Sequence, residues 1–113
     1  MKARLSAPEH GASAIAGLGK ILVGADREPG ITASHALTLI VHHAGRPGGE
    51  KERGPVLREL GKLVEGSANS YLRREALWLM GFIGGDAGSV KVAERCLWDE
   101  DEHVAEIARL VLE

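Results

Sequence analysis

Cysteines and aromatic residues are scarce in this chain, and long apolar runs are absent. The 113 residues include one cysteine, Cys96, and four aromatics, Tyr71, Trp78, Phe82 and Trp98. A lone cysteine excludes an internal disulfide framework and fits a reducing compartment, so the cytoplasm is the expected location. No stretch approaches the ~18 consecutive apolar residues of a membrane span. Lys2 and Arg4 precede an apolar stretch, but Glu9, His10 and Lys20 interrupt it. Its apolar residues are also spaced as on one helical face, so no signal peptide is expected. Strand-like alternation and β-branched runs are missing. So is clustered positive charge. Residues 86–113 carry three Lys/Arg against eight Asp/Glu, residues 1–30 four against three, and residues 31–85 seven against five. Tracking a phosphate backbone needs a basic patch, and the one strong cluster here is acidic, so nucleic acid is not an expected partner.

What the chain does have is helical periodicity almost throughout, over a length that suits one domain. The first helix is expected over about 8–23, with Pro8 in its first turn and Ala14, Ile15, Leu18, Ile21 and Leu22 on one face. Residues 24–30 break it. The second runs from Thr32 or Ser34 to Ala44, with Ala36, Leu37, Leu39, Ile40 and His43 mostly inward. The stretch 45–54, GRPGGEKERG, reads as a polar connector. A third helix over 55–64 buries Leu60, Leu63 and Val64 with Val56 or Leu57. The fourth, over 71–83, ends at Gly84-Gly85 in the manner of a left-handed C-cap. The fifth spans about 89–98. The acidic turn 99–102 then caps a sixth from His103, where negative side chains favour the positive end of the helix dipole. The expected fold is all-α, one domain of about three antiparallel helix pairs at 8–44, 55–84 and 88–113.

These pairs resemble one another. Aligning their second members places Ala36, Ala76 and Ala108 together, at spacings of 40 and 32 residues. The longer interval contains the 45–54 connector, and variable connections between constant helices are how repeat proteins absorb length changes. The segment Leu72-Arg73-Arg74-Glu75-Ala76-Leu77-Trp78-Leu79-Met80-Gly81-Phe82-Ile83-Gly84, followed by Leu97-Trp98-Asp99-Glu100-Asp101-Glu102-His103-Val104, resembles HEAT repeats. More narrowly, it is similar to the short HEAT-like repeats first named for phycobilin lyases. The likeness is strong over about 56–112 and weaker over 32–44, where Val41 and Ala44 replace two glycines. Over 8–24 it rests on periodicity alone, and in the last repeat Ala105 stands where arginine is usual. It implies a right-handed, armadillo-type α-solenoid with a hydrogen-bond ladder running from Arg73 to an Asp-bearing turn. Ala76 and Gly81 suit close helix approach, with Leu72, Leu79, Met80 and Ile83 filling the space between.

Arg74, Trp78 and Phe82 follow at i, i+4 and i+8, away from that core. In the register of the resemblance they look toward the concave surface. Their counterparts are Ser34, Thr38 and His42 in the first pair, and Glu106 and Leu110 in the third. Trp and Arg dominate binding hot spots, and contiguous exposed apolar surface marks interfaces. The expected function is a non-catalytic scaffold that binds a protein or peptide through Arg74, Trp78, Phe82, Thr38, His42 and Leu110. The competing reading packs Trp78 and Phe82 between neighbouring pairs. A second expectation is homodimeric self-assembly through an apolar end carrying Leu110, Val111 and Leu112. The resemblance adds a third, a lyase-like subunit that stacks a tetrapyrrole on Trp78.

Other chemistries find less support. His35 and His42 share a helical face, but residues 32–44 hold no Asp or Glu. None of the five histidines precedes a glutamate, the pairing that metal-dependent deoxyhypusine hydroxylases use, so no metal is expected. GRPGG lacks the Gly-Lys-Ser/Thr ending of a phosphate loop and follows no strand. Arg46, Lys51 and Arg53 are instead expected on a mobile connector within reach of a partner. The run 99–102, with Glu94 and Glu106 near it, reads as a solvated turn and cap, and Trp98 at its edge is a second contact candidate. Serines fall at helix starts or turns, Cys96 falls in a buried stripe, and no nucleophile–base pair or cofactor motif emerges.

Overall fold

The computed structural model describes residues 11–24, 27–67, 69–83 and 87–113, and its regular structure there is entirely helical. The helices are α1 (Gly11–Leu22), α2 (Arg27–Gly45), α3 (Glu50–Gly66), α4 (Ser70–Ile83), α5 (Ala87–Cys96) and α6 (Glu102–Leu112). Pro8 and the Gly84-Gly85 cap lie outside the described residues.

Two helices start well before the residues their sequences predict, by about a turn or more. α2 begins at Arg27 rather than Thr32 or Ser34. Pro29 falls in its first turn, where a missing amide costs no intrahelical bond. α2 buries Ala33, Leu37, Ile40, Val41 and Ala44. Leu39, expected inward, is 56% exposed, because at 100° per residue it lies across the helix from that stripe.

α3 begins at Glu50 rather than near 55, with Glu50 and Glu52 in its first turn at the positive end of the dipole. The connector shrinks accordingly to residues 46–49 and is tied to both helices. Arg53 donates from Nε to the Ala44 carbonyl (2.8 Å) and from Nη2 to the Gly45 (3.3 Å) and Arg46 (2.7 Å) carbonyls. That guanidinium satisfies acceptors the end of α2 otherwise leaves open. Arg46 pairs with Glu52 at 3.4 Å. These bonds hold Arg46 and Arg53 within the turn, and residues 50–54, expected in a mobile connector, belong to α3. The turn depends on glycine at two places. Gly48 has φ +89°, and a Cβ on Gly49 would lie 2.5 Å from the Ala44 carbonyl oxygen. Gly49→Ala is expected to cost about 1–3 kcal/mol in urea denaturation, because the atom it meets is backbone.

α2, α4 and α6 lie side by side in one layer, and α1, α3 and α5 in the other. The Cα extents of 43 × 36 × 17 Å fit two such layers at ordinary helix separation. The radius of gyration, 13.3 Å, is that of a compact chain of this length, about 13 Å. α4 is the central element. It buries Leu72, Ala76, Leu77, Leu79 and Met80 and packs against α2, α3 and α6. Gly81 lets α6 come close, since a Cβ there would stand 2.7 Å from Val111 Cγ2. Val111 and Leu112 accordingly pack on the core, while Leu110 is 49% exposed.

Arg73 locks three segments together. It donates from Nε to the Val64 carbonyl near the end of α3 (2.9 Å) and makes a two-pronged pair with Asp99 in the α5–α6 turn. Asp99 also accepts from the Asp101 amide (2.9 Å), and Asp101 caps α6 by accepting from the His103 and Val104 amides. The guanidinium beside Asp99 holds its carboxyl below the usual carboxylate range.

Candidate functional site

The side of α4 opposite its buried stripe carries Tyr71, Arg74, Trp78 and Phe82. At 3.6 residues per turn these positions form a line about 16 Å long. Trp78 is 52% exposed and Phe82 57%. Packing of the two rings between helix pairs is thereby excluded as a full account of them. Each nevertheless leans on a neighbouring helix. The His42 ring stacks on Phe82 with centroids 4.6 Å apart and planes 20° from parallel. On the other side, Trp78, Gly81, Phe82, Leu110 and Val111 line a cleft of about 230 Å³.

The polar residues of the face behave differently from one another. Thr38 donates to the Ser34 carbonyl one turn back (3.0 Å), so its hydroxyl hydrogen is engaged within α2. Ser34 reaches across to Glu75 Oε2 at 3.1 Å. This contact and the His42–Phe82 stack show α2 and α4 running parallel. Arg73–Asp99 at one end and Gly81–Val111 at the other show the same for α6. Arg74 is half-buried, with its guanidinium 5.8 Å from the Tyr71 ring centre. Its Nε is shielded from solvent and has no hydrogen-bond partner among the described residues. An unsatisfied buried donor costs about 1–3 kcal/mol.

Of the six residues named from the sequence, Trp78, Phe82 and Leu110 meet at the cleft, and His42 buttresses it. Arg74 stands further toward the start of α4, and Thr38 borders the face without lining the cleft. The omission was Tyr71. It is 51% exposed and lies three residues before Arg74 and seven before Trp78, a helical spacing readable in the sequence. With Ile31, Ser34 and His35 it lines a separate hollow at the other end of the face.

Trp98, the second contact candidate, is 87% exposed in the α5–α6 turn. Of the remaining histidines, His43 faces Glu52 at 3.9 Å, and no group of three or more potential metal ligands occurs among the described residues. No helix of those residues is long and apolar enough to cross a membrane. Cys96 is buried, and desolvation pushes its thiol above the ordinary value. The thiolate is the reactive species. Cys96 is therefore expected to react with Ellman's reagent at the rate of unfolding, and fast modification of folded protein would contradict the burial.

No family model, curated protein or solved structure matches the chain.

Proposed function

We propose that this chain is a small HEAT-like α-solenoid whose outward α2–α4–α6 face binds another protein, without catalysis of its own. The observation that carries this reading is the division of α4 into two sides. One buries Leu72, Ala76, Leu77, Leu79 and Met80, and the other displays Tyr71, Trp78 and Phe82 beside an apolar cleft. Large rigid side chains held half-exposed on a fixed helix bury area at little entropic cost, which is how hot spots work. The solenoid reading is supported by the two helix layers and by the parallel course of α2, α4 and α6. Spacings of 41 and 40 residues across the Ser34–Glu75 and His42–Phe82 contacts lie at the 40-residue repeat spacing. A cytoplasmic setting fits the single buried thiol.

A tetrapyrrole is less well served. Small-molecule sites enclose about 300–1,000 Å³, and the cleft offers about 230 Å³, room for one bulky side chain. Capture from the native host tests the reading. Wild-type bait should retain a partner that Trp78→Ala/Phe82→Ala bait loses, with equal helical circular dichroism. Equal capture by both would sink it.

A further inference from the structure

We propose that the cleft beside Trp78 receives Trp98 of a second copy of this chain, with Arg74 of the receiving copy pairing with Glu100 of the entering one. The inference rests on reading the α4 face as a contact surface, and it names the occupant. The cleft holds one large apolar side chain. The same protein presents one: Trp98, more exposed than any other large hydrophobic residue described. Nothing in its own turn covers it.

The charges on the two sides complement each other. In the turn, Asp99 is taken by Arg73 and Asp101 by the α6 amides, which leaves the exposed Glu100 next to Trp98 without either task. On the receiving face, Arg73 already holds a carboxylate and Glu75 accepts from Ser34. Arg74 is left without a carboxylate partner among the described residues, its guanidinium lying only against the Tyr71 ring. Arg74 lies four residues before Trp78, about 6 Å along the helix, within reach of a carboxylate two residues from the inserted indole. Glu106, one turn before Leu110, disfavours the acidic turn on the α6 side and so orients it toward Arg74.

Plug and cleft sit at opposite ends of α6, whose 11 residues span about 16 Å. A molecule therefore cannot fill its own cleft, and two copies either exchange plugs reciprocally in a symmetric dimer or pass them head-to-tail into a chain or ring. One inserted side chain with its rim makes a small interface, so the association is weak and concentration-dependent.

Sedimentation of the purified full chain tests this at concentrations up to about 1 mM. Wild type should self-associate, to a dimer if plugs are exchanged reciprocally and beyond it if they pass head-to-tail, while Trp98→Ala, which keeps the cleft, and Trp78→Ala/Phe82→Ala, which keeps the plug, should each remain monomeric. An equimolar mixture of the two should form a heterodimer and go no further. Arg74→Glu should weaken association about tenfold to a hundredfold, and mixing it with Glu100→Arg protein should recover it. A wild-type monomer throughout, self-association of Trp98→Ala equal to wild type, or a monomeric mixture would overturn the proposal. If wild type stays monomeric while host capture still depends on Trp78 and Phe82, only the occupant is wrong. If both fail, the face itself is not a contact surface.

Discussion

Arg73→Ala is expected to lower the unfolding free energy by about 2–3 kcal/mol, with a melting-temperature loss near 10 °C. The change deletes the bond to the Val64 carbonyl and both prongs to Asp99. It also strands the Asp99 carboxylate, whose side chain is 12% exposed. Breaking a fully buried pair costs about 3–5 kcal/mol, and the lower figure here reflects the 21% exposure of Arg73. Arg73→Lys should restore less than half of the loss, because an ammonium cannot fork to one carboxylate and still reach Val64. The pH dependence provides an internal check. Asp99 is held below the ordinary carboxylate value mainly by its hydrogen bond from Arg73. The stability this provides is therefore present above about pH 4, the unfolded value, and disappears as pH falls through the lower folded one. Wild type and Arg73→Ala should differ most near neutrality and converge in acid. A constant gap down to about pH 2 would show that the pair is not the cause.

The Trp78→Ala/Phe82→Ala double mutant is expected to reverse that pattern, with a large loss of binding and a small loss of stability. Hot-spot aromatics cost at least about 2 kcal/mol each on truncation, so partner affinity should fall at least about a hundredfold. About half of each side chain is already in water. Its remaining burial, at ~25 cal/mol per Å², limits each single loss of stability to less than about 2 kcal/mol after alanine's helix preference is counted. Leu77→Ala supplies the comparison, since Leu77 is 0% exposed and its truncation should cost about 2–5 kcal/mol. A double mutant that unfolds as readily as Leu77→Ala would return both rings to the core.

Much of this division was legible in the residues of α4. The buried and displayed sides separate at 100° per residue, and four aromatics in the whole chain made Trp78 and Phe82 conspicuous. The acidic cap of α6 was legible for a similar local reason, because Asp101 acts on amides two and three residues ahead. The start of α3 was not. The glycine-rich stretch 45–54 reads as a connector, yet Arg53 draws the end of α2 onto the first turns of α3, a contact between segments that no local pattern displays. Leu39 misled because α2 carries apolar residues on several sides, and only its packing between α1, α3 and α4 decides which are covered. The weak point at Arg74 was likewise invisible. The repeat register separates Arg73, matched by Asp99, from Arg74 on the face, but it does not show that the Arg74 Nε is shielded without a partner.

The most direct test of the central claim follows the indole of Trp78 itself. The chain has two tryptophans, so Trp98→Phe protein labelled with nitrogen-15 shows a single indole N–H resonance. Titrating in the unlabelled captured partner should shift or broaden that resonance in step with complex formation, as its half-exposed ring is covered. A complex that forms while the Trp78 resonance stays where it was would contradict the assignment of this face.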